Sequence, residues 1–162
     1  MEDAPTYSLS YDALETAACT LLGRLIFALS RFETNLALYI RDYKGPEHAD
    51  AVLSKLENFS FHAKLEMLEA AVRSVYGEER ACIDAFSHWL GTAHEIRTTR
   101  NDLVHGRWGI NPTGQQVVNV TGLPGSPNQK EKRYSLQELE AYFGQVDRFV
   151  RKFYALSRKW PF

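Results

Sequence analysis

Between positions 21 and 40 the apolar residues recur at helical spacing. Leu22, Leu25, Ile26, Leu29, Leu36 and Ile40 form one stripe, with Phe32 and Glu33 near its line. Leu21, Ala28, Asn35 and Tyr39 widen the apolar zone around the cylinder. A helix apolar on more than one face is central in a bundle or lies at an oligomer interface. Ser10 or Asp12 caps its start, Glu15 suits its first turns, and Gly45-Pro46 stops it. A short helix follows over 47–56. The 61–76 stretch is clearer, with Leu65, Leu68, Val72 and Val75 in step and Gly77 as the stop. A third long helix is predicted over 78–105, marked by Ile83, Phe86, Leu90, Ala93, Ile96 and Val104, with an irregularity near Gly91.

The period changes after His105. Residues 107–110, a polar turn over 111–114, and 116–120 read as a small β-hairpin. Gly122, Pro124, Gly125 and Pro127 mark an irregular loop. Helical spacing returns over 135–159 with Leu136, Leu139, Phe143, Val146, Phe149, Val150 and Phe153, and Ser135 with Glu138 makes a capping box. The pattern predicts an all-α fold: an up-and-down bundle of four to five helices with a small β-hairpin before the last helix. Its 162 residues suit one domain, 1–162, with the hairpin and loop inserted at about 107–133. A chain of this length buries a core without disulfides or a metal clip.

Charge narrows the function classes. The chain has 19 Lys and Arg against 20 Asp and Glu. That balance argues against a nucleic-acid coat and a polybasic membrane binder, and leaves room for a local phosphate site. Arg148, Arg151, Lys152, Arg158 and Lys159 load the end of the last helix, where they complement its dipole or form an auxiliary phosphate-facing patch. Cys19 and Cys82 sit in apolar surroundings and read as buried small side chains, which fits a reducing cytoplasm. The acidic start, Met1-Glu2-Asp3-Ala4-Pro5, lacks the features of a signal peptide. Arg24, Arg31 and Glu33 interrupt the most hydrophobic window, so a soluble helix and no membrane partner are expected. Without a secretory signal, the sequons at Asn58 and Asn119 are chance matches. His62, His88 and His94 lack paired ligand spacing, so neither metal nor other cofactor is expected.

The chemistry gathers in 97–108. Arg97, Asn101 and His105 are spaced by four and climb one helix face. Arg100 lies farther round, with a side chain long enough to curve toward the same groove. Leu103 and Val104 are expected to pack inward while Asn101 and His105 face that groove. Arg, His and Gly also suit a helix C-terminus, so spacing alone leaves both a site and a plain helix end open. Trp108 is placed to stack on a base or to pack on the bundle. Glu33 is either an orienting carboxylate for the site or an ordinary ion-pair partner.

The run Arg100-Asn101-Asp102-Leu103-Val104-His105 resembles the R-x4-H signature of the HEPN superfamily, including the polar residue that often follows its arginine. The 96–106 segment resembles the helix that carries that motif, and most of the chain follows the family in outline: a long first helix, a middle pair and a last helix. The resemblance implies metal-independent RNA cleavage, in which the 2′-hydroxyl attacks the adjacent phosphate and leaves 2′,3′-cyclic phosphate and 5′-hydroxyl ends. Many such proteins are toxins or antiviral effectors. Others are non-catalytic, and the corresponding alternative here is a dimeric protein that binds a nucleotide, RNA or a regulatory partner. In the catalytic version His105 is the general acid or base, since imidazole exchanges protons near neutral pH. Arg100 binds the phosphate and Asn101 orients the imidazole or a phosphate oxygen. Arg97, Arg107 and Trp108 are candidate substrate contacts. One histidine performs one proton transfer at a time, so a homodimer with a composite cleft is expected. An antitoxin or regulatory protein is a further possible partner. Arg107 stands where some family toxins carry a tyrosine that a partner enzyme modifies, so that form of regulation is not implied.

Overall fold

Ser10, not Asp12, opens the first helix: its hydroxyl accepts the Ala13 N–H at 3.3 Å. A computed structural model describes residues 9–162. Helix α1 spans Tyr11–Arg41, and a 3₁₀ turn at Pro46–His48 leads into α2, Ala49–Glu57. Gly45 precedes that turn with φ 92°, a backbone that L side chains avoid. Helix α3 is Phe61–Tyr76, capped by the Ser60 hydroxyl on the Ala63 N–H at 3.2 Å. Gly77 follows it as expected, but at φ −56° rather than in the left-handed region. A Cβ there would fall 2.6 Å from the Arg73 carbonyl oxygen, so close approach is what requires glycine. Helix α4, Arg80–His105, is continuous through Gly91, where no irregularity occurs.

The predicted hairpin is present, but the following loop holds a third strand. Strands β1 (Arg107–Asn111), β2 (Gln116–Thr121) and β3 (Lys130–Tyr134) form an antiparallel sheet in that order. This corrects the all-α expectation to a mostly helical chain with a three-stranded sheet before its last helix. Helix α5 is Leu136–Lys159. Its capping box is complete: Glu138 accepts the Ser135 N–H at 2.7 Å, and Ser135 Oγ accepts the Glu138 N–H at 3.1 Å.

The chain forms two compact units. One comprises the residues through Leu25 with Asn101–Gly144, and the other Ile26–Arg100 with Gln145–Phe162. In the first, Leu14, Ala18, Val117 and Leu139 form a small buried core, against which Leu22, Trp108, Ile110 and Tyr134 pack. The second is a helical bundle with an aromatic centre. Phe32, 1% exposed, meets the rings of Phe61, Trp89, Phe149 and Phe153 at 5.0–6.0 Å. Trp89 stacks on Phe149 at 4.7 Å and donates its indole N–H to that residue's carbonyl at 3.1 Å.

The buried line of α1 in the second unit is Leu29, Phe32, Leu36 and Ile40. Ile26, expected in the stripe, is instead 52% exposed, because Leu25 beside it takes the inward position. Val104 is exposed for the same reason, one position off the buried Leu103, whereas Val75 is in step with Leu68 and Val72 and is exposed in the last turn of α3. Cys82 is buried as expected, and burial pushes its thiol up to about 11. Cys19 is exposed, contrary to expectation; it lines a shallow groove with Tyr11, Glu15 and Trp108. By length and composition α1 is also apolar enough to cross a membrane, despite its charges.

Candidate functional site

The last turn of α4 leaves backbone carbonyls without helical partners, and the sheet supplies donors for two of them. Trp108 on β1 donates its indole N–H to the Leu103 carbonyl at 2.9 Å. Asn119 on β2 is 2% exposed. The groups around its carboxamide set its orientation: the nitrogen donates to the Asp102 carbonyl at 3.3 Å and the oxygen accepts from the Trp108 indole at 3.2 Å. Trp108 and Asn119 are register partners across β1 and β2, so one rung of the sheet fastens the helix end. Gly106 makes the fastening possible, because a Cβ there would fall inside the Asn119 carboxamide.

Alternation along strands sends every second side chain to the same face. Register pairs Ile110 with Val117 and Val117 with Tyr134 on that face, all three at the small apolar core. Farther along, Asn119 pairs with Lys132 and Thr121 with Lys130. One sheet face thus passes from apolar to polar. Its polar end and the last turns of α4 enclose a cleft of about 350 Å³, lined by Asn101, Asp102, His105, Asn119, Thr121, Lys130 and Lys132. Asn101 and His105 are one turn apart on α4, and His105 is exposed.

The cleft is rich in donors. It offers an imidazole, two carboxamides, a hydroxyl and two ammonium groups. Its carboxylate, Asp102, is paired with Lys132 at 2.7 Å. That hydrogen bond raises the Lys132 ammonium above its ordinary value. The pair is solvent-exposed, so its contribution lies in position rather than stability. Such a lining suits an anion with several oxygens. Among the described residues no group of three His, Cys, Asp or Glu side chains could hold a metal ion.

Of the residues singled out in the sequence, the cleft brings together Asn101 and His105. Arg100, half-buried, and Arg97 belong to the second unit, and Arg97 Nε is buried without a hydrogen-bond partner among the described residues. Glu33 is also in the second unit, where it accepts from Lys64 at 2.8 Å, so it behaves as an ion-pair partner. Arg107 is exposed and donates to the Gly122 carbonyl at 3.1 Å. Trp108 serves the fold: its ring lies against the small core and its N–H is spent on α4. Val104 points to solvent, while Leu103 packs inward as expected.

The sequence pattern does not mark Asn119, Thr121, Lys130 or Lys132 as site residues. A faint signal exists in Asn119, a polar residue among Val117, Val118 and Val120 in an otherwise apolar strand. Comparison with family models, curated proteins and solved structures found no match.

Proposed function

We propose that the chain is a metal-independent endoribonuclease of HEPN type, acting as a homodimer. The observation that carries this reading is the shared cleft of Asn101 and His105, whose other donors come from a sheet face ending in two lysines. A phosphodiester supplies anionic oxygens for the donors that the one carboxylate of the lining, Asp102 on Lys132, does not engage. His105 takes the proton from the attacking 2′-hydroxyl or returns one to the departing 5′-oxygen. Asn101 orients the imidazole or a phosphate oxygen, and Lys130 and Lys132 draw the RNA backbone into the cleft. The resemblance of the motif assigns to Arg100, which does not line the cleft, the charge that develops on the phosphate. The chain contributes one imidazole to the cleft, and a second copy contributes the other. Toxin or antiviral use, with an antitoxin or other regulatory partner, accompanies this reading.

The test compares wild type, His105→Ala and Arg100→Ala on total RNA and on short single-stranded RNA in EDTA, with circular dichroism to establish folding. Cleavage by wild type, a 2′,3′-cyclic phosphate product and loss in both folded variants are expected. Retention of cleavage in His105→Ala overturns the assignment. RNA or nucleotide binding by a folded wild type without any cleavage establishes the non-catalytic alternative instead.

A further inference from the structure

A second donor-lined cleft lies within the helical bundle of the second unit. Its volume is about 210 Å³. Its floor is the Trp89–Phe149 stack, which the indole hydrogen bond to the Phe149 carbonyl holds in register. One wall carries His88 and Thr92, a turn apart on α4; the other carries Gln145, Arg148 and Lys152 along α5. Each of these five side chains offers a hydrogen-bond donor, and no carboxylate lines the cleft.

The pairing of the surrounding charges sharpens the point. Arg151, the next cation on α5, is tied to Asp147 at 2.7 Å. Lys159 lies over the Trp160 ring at 4.1 Å. Arg148 and Lys152 have no ion pair among the described residues, and both line the cleft. Two uncompensated cations at i and i+4, facing an imidazole and a hydroxyl across an aromatic floor, form a receptor for phosphoryl oxygens. Arginine grips two oxygens of a phosphate at once, and lysine adds a point charge beside it.

We propose that this cleft binds the phosphate chain of a small oligophosphate, either inorganic triphosphate or a nucleoside triphosphate. Pockets that enclose a whole drug-sized ligand span roughly 300–1,000 Å³. At about 210 Å³, with His88, Arg148 and Lys152 exposed at its rim, this open cleft has room for the phosphates and leaves any nucleoside in solvent. The inference stands apart from the ribonuclease reading, because it shares no residue with the Asn101–His105 cleft.

Calorimetric titrations of the full chain with inorganic triphosphate, with ATP and with orthophosphate at low salt test it. Triphosphate and ATP should bind within a few-fold of each other, and orthophosphate far more weakly. Arg148→Ala and Lys152→Ala should each weaken triphosphate at least tenfold, while Arg151→Ala changes it less than twofold. His105→Ala should leave it unchanged. Equal losses in Arg151→Ala and Arg148→Ala overturn the proposal, since they mark a general charge effect. Loss in His105→Ala with Arg148→Ala unaffected overturns it by placing the ligand in the other cleft. Absence of triphosphate binding at millimolar concentration, ATP binding without triphosphate binding, or binding of short RNA alone overturns it as well.

Discussion

Gly106 and Asn119 occupy one another's space at the end of α4, and the pair shows how narrowly the candidate site is built. A methyl group on Gly106 has nowhere to go except into the Asn119 carboxamide. That carboxamide in turn satisfies the Asp102 carbonyl next to the site. Gly106→Ala should therefore destabilise the fold by roughly 1–3 kcal/mol through overpacking. Asn119→Ala should cost about 1–3 kcal/mol, because it takes the Asn119 donor from the Asp102 carbonyl, while the Trp108 indole keeps the Leu103 carbonyl. Urea denaturation measures both, and a Gly106→Ala protein as stable as wild type would remove the fastening from the account. In the sequence Gly106 reads only as a glycine after a helix, a position where glycine is common for backbone reasons. Its actual reason lies thirteen residues away on β2, and no local pattern carries it. Asn101 and His105 were legible because their relation is local, one helical turn on a face that the helix period defines.

The same contrast holds for whole elements. The caps of α3 and α5 depend on side chains three residues from the groups they serve, so Ser60 and the Ser135–Glu138 pair place the helix starts closely. Strand β3 depends on pairing with β2, and its five residues, Lys130–Tyr134, carry four charges that mask any strand pattern. Charged residues on an edge strand are how sheets discourage further pairing. Both elements support predictions. The Ser135 backbone N–H and hydroxyl hold the Glu138 carboxyl below its ordinary range. The folded state therefore binds fewer protons at this group than the unfolded one. Its contribution is present above the unfolded carboxylate value and is lost as pH falls through the folded value. The stability gap between wild type and Glu138→Ala should narrow as pH is lowered from 7 to 3 in urea titrations; a gap independent of pH would contradict the cap's ionic character. On β3, Lys132 faces the cleft and pairs with Asp102. Binding of short single-stranded RNA by Lys132→Ala should have a log–log salt slope shallower by about 0.7, the step that accompanies one fewer neutralised phosphate on a single strand. An unchanged slope would take Lys132 out of the RNA path.

For the whole molecule the question is what completes a cleft that holds one imidazole per chain. Cleavage by 2′-hydroxyl attack needs a proton removed from the nucleophile and another delivered to the leaving oxygen. A two-fold copy supplies the second imidazole without any new sequence, because an isologous interface uses the same patch twice. The net charge of −1 puts little long-range repulsion between copies. On α1 the described surface includes Phe27, 66% exposed, beside Ile26, with Leu38 three turns farther along nearly the same line. Between them Arg31 lies over the Phe27 ring at 5.9 Å and Thr34 turns its hydroxyl back onto the Ser30 carbonyl at 3.2 Å, so the strip is apolar at both ends with one cation between. That line is the one offered to a second copy, and it differs from the Leu21, Ala28, Asn35 and Tyr39 zone read in the sequence, where Asn35 bonds Tyr154 and Tyr39 bonds Trp160. Light scattering should give twice the chain mass, and specific RNA cleavage should fall on dilution below the dimer dissociation constant. Phe27→Glu should shift the mass toward that of one chain and cut cleavage more than tenfold, with the far-ultraviolet circular dichroism of wild type. Doubled mass in Phe27→Glu would move the interface off α1 and leave the composite cleft standing. A wild-type protein that cleaves RNA while showing the mass of one chain at every concentration would end the two-histidine mechanism, and the second proton would then have to pass through a lysine of β3.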